Sequence, residues 1–287
     1  MKKKILYITF AGIVAAFFLY YLFPKEALED YIDYQVYRFD PDFRLTIDDL
    51  GLYYPPYVKL SGLTVYHLQS PIMTVSSARV RPGWASLFNN GTILAFDGYI
   101  QKGRFNGRLS REDGGSPKGL TTMDVDLNGI QLEDIDGLRL ISGLSLAGRV
   151  TGNVVHVNEN ERPGQGKADL VFSDCTFQLA NAPFGIKVIR FNQIEMGLAL
   201  QGRMLTVHRL EMTGSQINAR FDGTVAISRP FIRSRLNLTG KVRLHAEFMS
   251  GLKKKIPAPL WPDKQTLKNG LPVSVSGTVL NPRLDIK

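Results

Sequence analysis

Histidine and cysteine are the side chains of this sequence best suited to catalysis or metal binding. The histidines are His67, His156, His208 and His245, and Cys175 is the single cysteine. No two histidines have the i, i+4 spacing around a glutamate that a zinc protease helix requires. One thiol can form neither an intramolecular disulfide nor a Cys-based metal motif. We therefore predict no metal site, and we expect Cys175 to be a small buried side chain.

Acidic residues cluster in two places, where paired carboxylates could act as a general acid and base or bind calcium. The second cluster lacks the residue order of an EF-hand loop. Both flank predicted turns, where aspartate also stabilises the turn itself, so the structural interpretation is favoured. The clusters are Asp40, Asp42, Asp48 and Asp49, and Glu133, Asp134 and Asp136.

A row of basic residues follows one face of a predicted strand near the C-terminus. It comprises Arg233, Arg235, Lys241 and Arg243. Such a row either forms a solvated face that discourages edge-to-edge aggregation, or contacts anionic lipid headgroups or an acidic partner. The solvated face is the simpler interpretation and is preferred.

The sequence contains none of the short motifs that accompany common enzymatic sites. It has no Gly-x-Ser-x-Gly elbow, no P-loop and no Gly-x-Gly-x-x-Gly opening a helix. The net charge of +9 includes the lysines at residues 2–4. The remaining excess is spread over many strands, whereas nucleic-acid binders cluster it with aromatic residues. We predict a protein that is not an enzyme, has no cofactor and does not bind nucleic acid.

An uncharged, apolar segment lies near the N-terminus, from Ile5 to Phe23. At 1.5 Å per residue it would span about 28 Å, which matches a hydrocarbon core of about 30 Å. Lysines precede it, so the positive-inside rule places the N-terminus in the cytoplasm. We predict a single-pass anchor in the cell inner membrane, with the bulk of the chain periplasmic. A cleaved signal peptide is the alternative, but cleavage after Ala16 would leave an apolar mature N-terminus.

Most of the chain after the anchor has the pattern of β-strands joined by tight turns. Strand–turn units recur about every 8–12 residues, which is typical of all-β proteins. Helical patterns are limited to residues 25–37, a short piece at residues 84–91, residues 246–255 and a short turn before Gly270. We predict a mainly β fold, in which an N-terminal transmembrane helix is followed by an elongated antiparallel β-sheet with a few short helices.

Residues 231–244 carry the clearest strand pattern of the chain. Alternate positions are apolar, and the predicted hydrophobic face comprises Ile232, Leu236, Leu238, Val242 and Leu244. A sheet with one apolar face must cover it, and the predicted helices are too few and too short to do so. We expect the face either to close on itself as a sandwich or barrel, or to line an open groove for a ligand or partner.

Turns and one phase change delimit the strands of residues 166–244. The apolar alternation of residues 204–212 changes phase, which predicts a β-bulge near His208 and Arg209. Glycine and proline mark the hairpin turns. The predicted turns lie at residues 181–183, 201–203, 213–215 and 222–223.

The polar segment 111–119 is rich in glycine and marks a candidate boundary. We divide the chain into a cytoplasmic tip with the anchor (residues 1–24), a membrane-proximal helix with an N-terminal β part (residues 25–119), and a C-terminal β part (residues 120–287). The two β parts could share one continuous sheet.

Three stretches resemble AsmA-like proteins. Residues 79–100 resemble their strand–P-x-x-S-L-L-x-G–strand step, and residues 166–227 resemble their late repeat unit with its proline-phenylalanine turn, here Pro183-Phe184. Residues 271–286 resemble their terminal P-x-x-x-x-G-T-x-x-x-P-x-x-x-I pattern. With its short length and single anchor, the chain is most similar to the family of the N protein (GspN) of bacterial type II secretion systems.

This resemblance implies a non-enzymatic, periplasmic component of a type II protein secretion system that is anchored in the inner membrane. Its partners would then be the inner membrane and other secretion-system components. The alternative comes from another class of protein, an AsmA-like lipid-binding or lipid-transfer protein of envelope biogenesis. That protein would bind phospholipid acyl chains along the apolar groove.

Overall fold

A computed structural model describes most of the chain beyond the N-terminal apolar segment. The described residues form one antiparallel sheet of 15 strands and three short α-helices. The predicted mainly β fold with few helices is confirmed. The described residues are 7, 10, 14, 21–22, 24–39, 42–53, 57–67, 69–83, 91–112, 120–137, 145–159, 164–178, 187–229, 231–253 and 264–286.

The strands lie side by side in nearly the order in which they occur in the chain. They are β1 (Phe43–Thr46), β2 (Asp49–Tyr53), β3 (Tyr57–His67), β4 (Ser70–Pro82), β5 (Gly91–Ile100), β6 (Gly103–Glu112), β7 (Leu120–Gln131), β8 (Ser145–Glu159), β9 (Gln165–Gln178), β10 (Val188–Gln201), β11 (Met204–Thr213), β12 (Ile217–Ala226), β13 (Arg235–Leu244), β14 (Leu271–Thr278) and β15 (Pro282–Ile286).

The sheet is open at both ends in the described part of the chain. Both β1 and β2 pair with β3, and from β3 to β15 every strand pairs with the next one. Neither a second sheet nor a closed barrel is found among the described strands. The ladder between β6 and β7 crosses the predicted boundary at residue 119, so both predicted β parts contribute to one continuous sheet.

The first helix, α1 (Lys25–Phe39), packs against the edge of the sheet formed by β1 and β2. Leu28 and Ile32 are spaced i, i+4 and face the core together. On the next turn, the Asp33 carboxylate accepts a hydrogen bond of 3.1 Å from the Leu45 backbone N–H. The helix predicted over residues 25–37 is thus confirmed, and its apolar side is covered by the first strands.

Two further helices follow β13, as the sequence predicts. They are α2 (Ala246–Lys253) and α3 (Lys264–Asn269). Helix α3 leads into Gly270, whose φ of +89° is unfavourable for other residues, and the chain then enters β14.

The predicted transmembrane segment, Ile5 to Phe23, lies for the most part outside the described residues. Within it, Tyr7, Phe10, Val14 and Tyr21 are helical. No helix in the described part of the chain has both the length and the hydropathy that spanning a membrane requires.

The strand predicted over residues 231–244 is shorter in the structure, where it begins at Arg235. Residues Phe231–Arg233 form a 3₁₀ turn that is closed by a hydrogen bond from the Ser234 N–H to the Phe231 carbonyl. Ser234 is fully buried, and its hydroxyl accepts a bond of 3.0 Å from the Ser228 N–H. Because serine competes for backbone groups in this way, Ile232 belongs to the turn and not to the strand face to which we assigned it.

Two of the predicted hairpin turns are confirmed, and a third is wrong. The chain reverses between β10 and β11 at residues 202–203, and between β11 and β12 at residues 214–216. Residues 222–223 lie inside β12, where Gly223 has φ +144° and packs closely on β13. A Cβ there would lie 2.2 Å from the Asn237 carbonyl oxygen, so this glycine marks close strand approach and not a turn. The turn predicted at residues 181–183 lies outside the described residues.

The predicted bulge in β11 is confirmed. Leu198 pairs with Val207, whereas Gly197 pairs with Arg209, so His208 has no partner in the ladder. The ladder to β12 shifts at the same place. The bulge restores the apolar residues on either side of it to one face of the sheet.

The buried core lies near the edge of the sheet where β5 ends and β6 begins. There, the segment after β7 crosses the strand ends: Leu132 is buried, and Gly137 packs against Ile72 at the start of β4. The core residues continue from β2 to β10 and include Leu50, Val75, Ile100, Ile130, Val150, Cys175, Phe191 and Ile194. We call this line of strand ends the closed edge of the sheet; the term refers to the ends of the strands and not to the outer strands.

Candidate hydrophobic groove

The strand register joins apolar residues into a continuous row across the sheet. From β2 to β15, each member of this first row is the direct cross-strand partner of the next, and every member is apolar or glycine. The first row is Leu50, Leu60, Ala78, Gly98, Phe105, Leu127, Gly152, Leu170, Met196, Leu210, Phe221, Gly240, Val273 and Ile286.

A second row runs parallel to the first and farther from the closed edge, two residues away along each strand, or three in the bulged β11. It also crosses fourteen strands without a polar side chain. The second row is Leu52, Val58, Val80, Phe96, Gly107, Val125, Val154, Ala168, Leu198, Val207, Gly223, Leu238, Val275 and Leu284. At about 4.8 Å between strands, each row is about 60 Å long. We call the side of the sheet that carries both rows the hydrophobic face.

Most of the hydrophobic face is only half-buried. In the second row, all members are partly exposed except Val207, which is buried, and Leu284, which is 67% exposed. In the first row, the members from β6 to β13 are likewise partly exposed. Side chains in a closed sandwich core would be fully buried. The hydrophobic face is therefore covered at its closed edge and accessible along the second row.

Phenylalanine rings lie across glycines of the neighbouring strand on this face. A Cβ on Gly107 would lie 2.5 Å from the Phe96 ring, and one on Gly98 would lie 2.5 Å from the Phe105 ring. Gly240 has the same relation to Phe221, at 2.4 Å. Because the rings occupy the space above these glycines, they cover the backbone with apolar surface.

The opposite side of the sheet, the hydrophilic face, carries the charged residues of the same strands. Arg209 pairs with Glu195 at 3.4 Å, and Arg220 pairs with Glu211 at 3.4 Å. Asn153 donates hydrogen bonds to two aspartates of β7, at 2.7 and 2.9 Å. These cross-strand contacts pair the polar and charged groups of the hydrophilic face with one another. The apolar side chains of the same strands lie together on the hydrophobic face.

The predicted hydrophobic residues of β13 lie on the hydrophobic face, with the exception of Ile232. Leu236, Leu238, Val242 and Leu244 are all partly exposed. Leu238 is a member of the second row, and Val242 pairs with Ala219 and Leu271 nearer the closed edge. The sequence pattern did not identify their partners in the other strands, because pairing register cannot be read from one strand alone.

The candidate chemical residues of the sequence do not converge in the described part of the chain. No group of three or more histidine, cysteine or acidic residues there could hold a metal ion. His67 contacts the Phe43 ring edge-on, and His156 lies at the far end of the hydrophobic face, opposite Met123 and Gly166. His208 occupies the bulge described above.

Cys175 is buried in the core, as predicted. Burial, and secondarily the Asp174 carboxylate, raises the pKa of its thiol to about 11. The thiol is therefore protonated and unreactive near neutral pH.

The acidic clusters have structural contacts. The Asp48 side chain lies directly over Gly62, and Asp49 pairs with Lys25 at 3.6 Å. The Glu133 carboxylate accepts a hydrogen bond of 3.1 Å from the Gly148 N–H. Burial, reinforced by Glu133, raises the pKa of Asp134. The contacts of Asp48, Asp49 and Glu133 fix turns and strand ends, whereas the buried Oδ2 of Asp134 has no hydrogen-bond partner in the described part of the chain.

No protein-family model, curated protein or solved structure matches this chain. The similarity to AsmA-like proteins and to the secretion family therefore stays a prediction from the sequence motifs.

Proposed function

We propose that this protein binds lipid acyl chains along its hydrophobic face. The observation that carries the proposal is the pair of uninterrupted apolar rows, which cross fourteen strands and are partly exposed over most of their length. Two rows about 60 Å long and about 13 Å wide cover about 800 Å² of sheet. From β6 to β13, where nearly all members of both rows are partly exposed, the corresponding area is about 450 Å². The largest exposed apolar patch of a typical monomer is about 300–600 Å² and is often functional, so this surface favours a bound apolar partner.

The chemistry of the two rows favours acyl chains over a protein partner. Protein interfaces combine an apolar centre with hydrogen bonds, at about one per 100–200 Å². The two rows offer no side-chain donor or acceptor over their whole length. An acyl chain needs none, because it is held by apolar burial alone.

The dimensions of the face accommodate several chains. A lipid leaflet is about 15 Å deep, half of a hydrocarbon core of about 30 Å. The rows are about four times as long. We therefore propose that the hydrophobic face is a conduit or store for more than one lipid, and not a pocket for a single molecule.

We further propose that the hydrophobic face begins beside the inner membrane. The apolar segment from Ile5 to Phe23 leads directly into α1, which packs on β1 and β2 at the first edge of the sheet. If the segment anchors the chain in the inner membrane, the apolar rows begin next to the bilayer and extend away from it into the periplasm. Membership of a type II secretion system rests on the sequence resemblance, and it is compatible with a lipid-binding role.

Lipid analysis of the purified protein tests the proposal. The full chain is purified in a mild detergent, washed extensively, and its bound phospholipid is quantified by mass spectrometry. We expect several phospholipids per chain, and exchange with an added lipid of distinct mass. A protein that carries no lipid and does not take up the added one would refute the proposal.

A further inference from the structure

A cavity lies on the hydrophilic face, where β11, β12 and β13 approach the closed edge. Its volume is about 340 Å³, which is within the range of small-ligand pockets, about 300–1,000 Å³. The side chains of the hydrophilic face that line it are Glu211, Thr213, Asn218, Arg220, Lys241 and Arg243. We call it the basic pocket.

The register arranges these six side chains as two rows of three. Glu211 pairs with Arg220, which pairs with Lys241; Thr213 pairs with Asn218, which pairs with Arg243. Three cations thus face one carboxylate, and Glu211 is already bound to Arg220 at 3.4 Å. Lys241 and Arg243 have no ion pair within the part of the chain that the structure describes. The pocket therefore has an excess of two positive charges.

Two of the cations are direct cross-strand partners, an arrangement that a bound anion would stabilise. Arg220 and Lys241 are direct cross-strand partners, and like charges in that relation destabilise a sheet. Elsewhere on the hydrophilic face, several arginines form an ion pair with a carboxylate, as Arg209 does with Glu195. An anion between the three cations would remove the repulsion.

Asn218 adds a directed donor to the pocket. Its Oδ1 accepts a hydrogen bond of 3.0 Å from the Gly214 N–H, so the amide group that remains free is Nδ2, which only donates. Gly270 lies close to Lys241 and Arg243, since a Cβ there would lie 3.1 Å from Arg243 Cγ and 3.6 Å from Lys241 Cβ. The donors are two guanidinium groups, one ammonium group and one amide.

We infer that the basic pocket binds a phosphate group. Arginine offers a planar fork that matches two phosphate oxygens, and lysine supplies a compact charge. The phosphate could belong to a phospholipid headgroup or to a soluble phosphate compound. This site lies on the face opposite the acyl-chain groove, and its existence does not depend on the proposed lipid function.

Calorimetric titration of the full chain in a non-ionic detergent tests this inference. The probes are inorganic phosphate and glycerophosphoglycerol, a headgroup diester that has no acyl chains. We expect saturable, salt-sensitive binding of at least one probe. Preference for the diester would indicate a headgroup, whereas preference for inorganic phosphate would indicate a soluble compound. Absence of binding for both probes would overturn the inference.

Matched variants separate the pocket from general surface charge. Lys241→Ala with Arg243→Ala should weaken binding by at least about tenfold, since both lost donors are charged. The control, Arg235→Ala with Arg283→Ala, removes two charges from other strand positions of the hydrophilic face and should leave binding nearly unchanged. Equal weakening in both double variants would contradict a specific site.

The variant Asn218→Asp tests the directed donor. Its carboxylate can still accept the hydrogen bond from the Gly214 N–H, so the turn is retained, but an anionic oxygen replaces the donating Nδ2. Phosphate binding should fall while the thermal unfolding midpoint stays close to that of the parent protein. Unchanged phosphate binding in this variant would show that the pocket does not hold the anion.

Discussion

The two faces of β8 provide a matched test of the groove. Val154 belongs to the second row of the hydrophobic face, and Val155 is its neighbour on the hydrophilic face; both are partly exposed. Replacing either valine by aspartate removes the same side chain from the same strand. The loss of strand propensity is then comparable, at up to about 1 kcal/mol.

The effects on lipid binding should differ between these variants. An acyl chain that lies across residue 154 would have to dehydrate the new carboxylate, and burying an unpaired polar group costs about 1–3 kcal/mol or more. We therefore expect Val154→Asp to weaken lipid binding at this strand by about 5- to 150-fold. Val155→Asp should leave it nearly unchanged, because the new carboxylate lies on the hydrophilic face, between its cross-strand partners Asp124 and Lys167.

The assay uses a phospholipid with a pyrene-labelled acyl chain, titrated into each full-length variant in the same detergent. Urea unfolding of both variants checks that their stabilities are comparable. Equal affinities for the two variants would refute the assignment of the acyl chains to the hydrophobic face. A loss confined to Val155→Asp would place the lipid on the other side of the sheet.

Three further predictions concern stability and reactivity. Gly240→Ala should lower the free energy of unfolding, measured by urea titration, by about 1–3 kcal/mol, since the new Cβ would lie 2.2 Å from a backbone oxygen. As a control, Gly251→Ala in α2 should leave the free energy of unfolding unchanged or raise it by up to about 1 kcal/mol, because a Cβ there has no atom within 4 Å. The Cys175 thiol should resist alkylation at pH 8 in the folded protein and react fully in denaturant, because burial holds its pKa at about 11; rapid labelling of the folded protein would contradict this. Asp134→Asn should stabilise the protein at neutral pH, because the raised pKa of Asp134 means that folding disfavours its charged form. This stabilisation should shrink as the pH falls through the raised folded-state pKa towards the ordinary value of 3.8, and it should be absent below 3.8; a stabilisation that is greatest in acid would have the wrong sign.

The local pattern of β13 shows what a single sequence can predict. Alternation placed Leu236, Leu238, Val242 and Leu244 on one face, and the structure agrees. Phase changes are equally local, so the bulge at His208 was predictable. Both features depend on side-chain periodicity alone, and that periodicity is fixed by strand geometry.

The two wrong predictions concern residue types that have more than one structural role. Gly223 follows an aspartate, a pair typical of hairpin turns, yet the glycine serves close packing between β12 and β13. Ile232 continues the alternation of β13. However, the buried Ser234 hydroxyl accepts a hydrogen bond from the Ser228 backbone N–H, and the strand begins only at Arg235. Tertiary contacts decided both cases, and the sequence pattern does not contain them.

The groove itself could not be predicted as a continuous surface. Its rows depend on the register of thirteen successive ladders, and a slip of one residue would move each strand's apolar set to the other face. The sequence left a sandwich, a barrel and a groove open. The described strands form one open sheet, and this is why the hydrophobic face remains accessible.

Photo-crosslinking tests the central claim most directly. The full chain is loaded with a phospholipid that carries a diazirine on its acyl chain, irradiated, digested and mapped by mass spectrometry. We predict labels that alternate along the strands, with Val154, Ala168 and Leu198 labelled and their neighbours Val155, Lys167 and Ala199 unlabelled. Equal labelling of both sets, or labelling confined to α1, would contradict an acyl-chain groove on the hydrophobic face.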